Sequence, residues 1–222
     1  MKVAVLLTGF LRTYHQTFNS LEEKILKNYD CDIFSVTWDK QENKNDITNE
    51  NYSHIYSKNL KKIKIVNYEE YLKTKKTFVP IDRENDVFKV NDRAKEHGPY
   101  WVNRLMDQWK LVHECFNLID DYRKYDVILR LRYDLLLHNI KLDITNKLVI
   151  PKDTGGWSFT DHMAYGPSEV MKIYCNLYNN IEKLYIDDNI DVSHAVDMPK
   201  HYISKNNINF SIDYDINYSI FK

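Results

Sequence analysis

The amino-acid sequence predicts an α/β fold with a mostly parallel sheet flanked by helices, and three observations carry that expectation. Val3–Leu7 is an unbroken apolar run closed by Thr8-Gly9, the pattern of a central parallel strand buried on both faces. Phe18, Leu21, Ile25 and Leu26 then fall on one face of a helix between Thr13 and Lys27. Cys31–Trp38 is a second apolar strand, and a strand, helix and strand with short connections make a right-handed β-α-β unit.

The remaining elements follow in order. Residues 39–59 are polar and rich in Asn, Lys and Glu, as in a loop over a weak helix. Ile63–Val66 is a third strand and Tyr68–Leu72 begins a short helix. Residues 77–98 are charged and poorly patterned; excursions of that length are functional or disordered, and a mobile flap is expected here. Val102, Leu105, Trp109, Val112, Phe116 and Ile119 recur at steps of three and four, which predicts a long helix with Gly98-Pro99 marking its start. Tyr125–Arg130 is a strand that runs on into a charged motif. Leu148–Pro151 is a short strand, and residues 153–165 read as a loop around Gly155-Gly156. Pro167–Leu184 reads as one helix with Val170, Ile173, Leu177 and Ile181 aligned. Met198–Ser204 is a last helix, and Ile208, Phe210 and Ile212 alternate as in a strand.

Composition bounds the function. A chain of 222 residues without a repeat or linker fits a single domain. With 31 basic and 32 acidic residues the net charge is -1, so no global field draws nucleic acid or an anionic membrane. Three cysteines without metal spacing suit a reducing compartment. The N-terminal apolar run lacks a cleavage site, and no stretch approaches the ~18 apolar residues of a membrane span. A cytoplasmic protein is the expectation.

Three constellations can carry chemistry. Gly9-Phe10-Leu11-Arg12-Thr13 follows the first strand: Gly9 lets a ligand approach the backbone, and Arg12 can grip a phosphate. A plain strand-to-helix turn is the bland alternative. In Val127–Leu137, Arg130, Arg132 and Asp134 alternate within an apolar strand, and period two places all three on one face. Burying them costs several kcal/mol unless they pair or bind something. Two arginines can neutralise a diphosphate and a carboxylate can hold a divalent ion; an internal Arg–Asp ion pair is the alternative. Finally, Asp161-His162 sits in a loop before a helix, where Asp161 is a candidate general base or sugar ligand and an Asx-type turn is the alternative. Trp38-Asp39 ends the second strand, where a base or ribose can rest. His194 and His201 are weaker candidates for a metal site.

Taken in chain order, these blocks resemble a family of glycosyltransferase-like proteins met in large DNA viruses and bacterial surface-polysaccharide clusters. The matching residues are Gly9-x-x-Arg12-Thr13, Met106-Asp107-Gln108-Trp109, Tyr125–Asp134 and Asp161–Met171. The resemblance implies a GT-A-like (Rossmann-like) fold, with residues 1–137 as the nucleotide-sugar-binding half and 138–222 as the acceptor-side half. It implies a UDP- or GDP-linked sugar donor, a glycan or glycoprotein acceptor, and Mn²⁺ or Mg²⁺ held by Asp134. Gly9, Arg12, Trp38, Arg130 and Arg132 would bind the donor, and Asp134 and Asp161 would be catalytic. The two-carboxylate Asp-x-Asp signature is absent because position 132 is Arg, so an ion or the arginines alone could offset the diphosphate. A catalytically degenerate binding module is a second reading. A sugar nucleotidyltransferase is a third, although it would want a Gly-rich, Lys-containing phosphate loop that the N-terminus lacks.

Overall fold

The computed structural model of the chain describes residues 1–11, 13–39, 58–75, 92–152, 159–187 and 196–221, with 92–101 and 186 described by backbone alone. β1 (Lys2–Gly9), β2 (Asp30–Trp38), β3 (Leu60–Val66) and β4 (Val127–Arg132) are parallel neighbours in the order β3-β2-β1-β4. After β5 (Leu135–Asn139), which leaves this sheet, β6 (Leu148–Pro151), β7 (Met163–Gly166) and β8 (Phe210–Asp213) extend it as β4-β7-β6-β8. β7 runs antiparallel to both neighbours, whereas β6 and β8 are parallel to each other. β9 (Asn217–Ile220) pairs with β5 in a separate two-stranded sheet.

Period two along the central strands divides the core into two layers. Ala4, Leu6, Phe34, Val36 and Ile128 face Val102, Leu105, Trp109 and Val112 of the long helix. Val3, Val5, Leu7, Ile33, Leu129 and Leu131 face the opposite way, against Leu21, Ile25, Leu135, Leu137 and Tyr218. The first helix, α1 (Tyr14–Leu21), continues through a π-helical turn at Glu22–Leu26, so the expected helix from 13 to 27 is present with a widened last turn. α2 (Tyr68–Thr74) is capped by Asn67, whose side chain accepts from the Glu70 N–H at 2.7 Å.

The long helix, α3 (Asp92–Phe116), starts earlier than Gly98-Pro99 suggests. Pro99 has no N–H to give to residue 95, yet the backbone stays helical through it, so the missing bond costs less than the burial gained downstream. Glu114 ties this helix to the sheet edge by accepting from Lys64 of β3 at 2.5 Å and from Lys110 at 2.7 Å. Burial by itself raises a carboxyl pKa, but these two hydrogen bonds outweigh it and hold Glu114 below its ordinary value. A depressed folded value contributes stability that is present above about pH 4.5, the unfolded value, and is lost as pH falls through the folded one. Glu114→Gln is therefore expected to cost about 1 kcal/mol at pH 7 and to flatten the acid side of the stability curve. Urea midpoints between pH 3 and pH 7 check this; an unchanged acid slope in the variant would refute it.

Other expectations need correction. Strand β4 ends at Arg132, and Tyr133-Asp134 form a turn into β5, so Asp134 does not lie on the strand face with Arg130 and Arg132. Residues 163–165, the end of the expected loop, belong to β7; a strand of four buried residues shows no alternation for a pattern to catch. The expected single helix from 167 to 184 is three pieces: α4 (Ser168–Cys175), a 3₁₀ turn at Leu177–Asn180, and α5 (Ile181–Ile186). Here asparagine side chains compete for the backbone, with Asn180 Nδ2 donating to the Asn176 carbonyl at 3.0 Å. α4 buries Met171, Tyr174 and Cys175, which leaves Ile173 37% exposed. α6 (Asp197–Lys205) and β8 match expectation. The expected loop over a weak helix at 39–59 and the flap at 77–98 fall mostly outside the described residues.

Candidate functional site

From β1 the chain moves outward to β2 and β3, then returns to place β4 on the other side of β1. The strand order therefore reverses between β1 and β4, and ligands of open α/β sheets sit beyond the carboxyl ends of the strands at such a point. A cleft of about 620 Å³ opens there. Thr8, Gly9 and Phe10 border it from the end of β1, and Trp38 and Tyr68 from the end of β2 and the start of α2. Asn103, Arg104, Asp107 and Gln108 supply the wall from α3. Arg130, Arg132, Tyr133 and Asp134 line it from β4 and the turn after it, and Asp161-His162 from the residues just before β7, the next strand.

Local interactions fix each part. Gly9 has φ +121, a backbone conformation that only glycine adopts without strain, and this lets the chain leave β1 sharply. Its carbonyl accepts from Thr37 Oγ1 at 2.9 Å. The turn after β4 is pinned on both sides: Thr17 Oγ1 donates to the Tyr133 carbonyl at 2.5 Å, and the Phe221 N–H donates to the Asp134 carbonyl at 2.8 Å. Tyr133 also meets the buried Ser35 hydroxyl. Lys75, at the end of α2, donates to Asp107 Oδ1 at 2.5 Å and to the Asn103 carbonyl at 3.0 Å, which anchors the helix wall.

The turn brings Asp134 back onto Arg132. Arg132 Nε donates to Oδ1 at 2.9 Å and Nη2 to Oδ2 at 2.5 Å, a bidentate fork. Burial lowers the pKa of such a guanidinium, but the Asp134 carboxylate outweighs it and holds Arg132 above its ordinary value. Arg130 is fully buried; its Nη1 donates to the Asp161 carbonyl, and its guanidinium carbon lies 5.7 Å from the centre of the Trp109 ring.

Asp161 is 7% exposed and held on both oxygens. Gln108 Nε2 donates to Oδ2 at 2.7 Å, and His162 Nε2 is 3.5 Å from Oδ1. His162 Nδ1 is 3.1 Å from the Tyr218 hydroxyl, which donates to Thr160 Oγ1 at 3.1 Å. The arrangement sets two guanidinium groups from the end of β4 and an oriented carboxylate from the residues just before the neighbouring β7 on one cleft. The first pair can take up negative charge, and the carboxylate can accept a proton from a hydroxyl.

Of the residues singled out by sequence, Gly9, Trp38, Arg130, Arg132, Asp134, Asp161 and His162 meet at this cleft. Trp38 is only 2% exposed, wedged against Tyr68 and Tyr71 with ring centres 5.0 and 4.9 Å away. Tyr68 is the more accessible aromatic at this end. Arg12 and His194 lie outside the described residues, and His201 sits on the exposed face of α6, away from the cleft. Sequence reasoning missed Asn103, Arg104, Asp107, Tyr68 and Tyr218. The helix positions did leave a signal: 103 and 107, and 104 and 108, are polar pairs spaced by four along the flank of the apolar stripe. Tyr218 left none.

Among the described residues no helix is long and apolar enough to cross a membrane. No protein-family model matches the chain, and a comparison with curated proteins finds no match.

Proposed function

We propose that the protein is a glycosyltransferase that moves a sugar from a nucleotide-sugar donor, UDP- or GDP-linked, to a hydroxyl of a glycan or glycoprotein. One observation carries the reading: Arg130, Arg132 and the Asp161 carboxylate line a single cleft at the point where the strand order reverses. That chemistry suits a reaction that separates charge. The bond between the anomeric carbon and the donor phosphate oxygen breaks, and its electron pair leaves with the nucleoside diphosphate. The arginines stabilise that charge, which is commonly the largest contribution to such catalysis. The acceptor hydroxyl oxygen forms the new bond to the anomeric carbon, and its proton passes to the Asp161 carboxylate. Tyr68 offers a partly accessible ring for the base, and the GT-A-like architecture remains part of this proposal.

A divalent ion such as Mn²⁺ or Mg²⁺ would be expected on Asp134. Both oxygens of that carboxylate are held by Arg132, and Asp161 is engaged by Gln108 and His162. Among the described residues no group of three or more His, Cys, Asp and Glu comes together to hold a metal. The donor set does not fit the ion, so the reaction is derived from the arginines. The same closed ion pair is what a catalytically silent, sugar-binding descendant would carry, and donor binding without turnover would favour that second reading.

A melting-temperature panel of nucleoside diphosphates tests the proposal first. A ligand at 100 times its Kd stabilises by roughly 2.7 kcal/mol, or about 5–10 °C for a chain of this size. The matching nucleotide sugar should then be hydrolysed slowly without acceptor. If no nucleoside diphosphate shifts the melting temperature and no nucleotide sugar is consumed, the reading fails.

A further inference from the structure

We infer that the buried guanidinium of Arg130 is an anion-receiving group, which takes a diphosphate directly and without a bridging divalent cation. The inference rests on the reading of the cleft as a nucleotide-sugar site and specifies how its charged part is held. Arg130 is 0% exposed and borders the cleft, yet its Nε and Nη2 have no hydrogen-bond partner. These two atoms form one edge of the guanidinium. With the same edge, Arg132 grips both oxygens of Asp134. Arg130 therefore carries, unpaired within the protein, the fork that matches a carboxylate or phosphate.

The surroundings sharpen the case. An arginine cannot lose its charge by deprotonation, and a buried cation without a counter-ion is unfavourable. Among the described residues Arg130 meets the Asp161 carbonyl and the Trp109 ring and lies near the buried Cys115, Tyr174 and Cys175, with no carboxylate at ion-pair distance. The Trp109 Nε1 and the Tyr174 hydroxyl are also buried without partners, and their rings are 5.0 Å apart. Arg130, which lines the cleft as Trp109 and Tyr174 do not, has N–H groups to give and no lone pair to receive, so its free edge calls for an acceptor oxygen. A phosphate supplies it with the right charge and the right bidentate geometry. The carboxylates at the cleft are otherwise committed: Asp134 to Arg132, Asp107 to Lys75, and Asp161 to Gln108 and His162. Arg132, fixed by Asp134, stands beside this fork as the second positive charge where an ion would otherwise be required.

The test is calorimetric titration of the full chain with inorganic pyrophosphate in EDTA, for the wild type, Arg130→Met and Arg130→Lys. Wild type should bind in EDTA. Arg130→Met, close in volume but uncharged, should bind at least tenfold more weakly while melting no lower than wild type without ligand. Arg130→Lys keeps the charge but lacks the fork, and should also lose at least tenfold; circular dichroism verifies that each variant is folded, and the lysine variant serves if the methionine variant does not fold. Binding that disappears in EDTA and returns with Mn²⁺ overturns the inference, as does wild-type affinity in either folded variant. Nucleotide-sugar turnover is a separate readout. Pyrophosphate binding through Arg130 without turnover sinks the transferase reading alone, and turnover that needs Mn²⁺ sinks this inference alone.

Discussion

Asp134→Ala is expected to lower the unfolding free energy by about 3 kcal/mol and to reduce sugar transfer by at least about 100-fold. The stability cost follows from what the side chain touches. The Asp134 side chain is 6% exposed and both of its oxygens hold Arg132, itself 24% exposed on its side chain. Removing the carboxylate leaves a largely buried cation without its partner, which is worse than replacing both members by apolar groups. Because Arg132 keeps some contact with water, the lower end of the usual range applies. The turnover loss follows from position: an unpaired Arg132 is free to swing, and misplacing a charge-stabilising group by an ångström costs on the order of 10² in rate. Urea unfolding gives the first number, and release of nucleoside diphosphate from the donor gives the second. A folded variant with wild-type turnover would remove Asp134 from the machinery altogether.

Asp161→Asn should separate chemistry from structure. The amide is isosteric, its oxygen can still accept from Gln108, and the Asp161 main-chain carbonyl that faces Arg130 is untouched. Stability should change by less than about 1 kcal/mol. Turnover should fall by 10²–10⁴, the contribution typical of a positioned general base. Donor affinity should remain near wild type, since the residue acts on the acceptor hydroxyl. Retention of more than about a tenth of the activity would mean that another group takes the proton.

How much of this was legible beforehand depends on whether local pattern or long-range pairing decides each element. The run Val3–Leu7, the repeat of Val102 through Phe116 and the alternation at Ile208–Ile212 are patterns of one segment against itself, and each appears where the spacing put it. The clustering of Gly9, Arg130 and Arg132 was legible for a related reason. Parallel strands joined in order align their carboxyl ends, so residues at the strand ends meet. The breaks were less legible. The alternation of apolar and charged residues runs unbroken through Asp134 into Leu135–Leu137 and gives no mark of where β4 stops, because the turn at Tyr133-Asp134 is held by Thr17 and Phe221, both remote in the chain. Likewise, nothing in 163–166 announces a strand when its partners are Ile128–Leu131 on one side and Val149 on the other.

By itself, then, the sequence determined the sheet-and-helix plan, the central strand bearing Arg130 and Arg132, and the candidacy of Asp161. Hydrophobic period and the succession of elements along the chain are local properties and need no coordinates. Only the tertiary structure decided that Asp161 joins the arginines at one edge of the sheet. β7 runs antiparallel to β4, so it starts where β4 ends, and the two residues just before it, Asp161 and His162, are delivered to the carboxyl edge. A parallel β7 would have carried them to the opposite edge of the sheet. Strand direction is set by pairing between segments far apart in the chain, and no window of residues contains it.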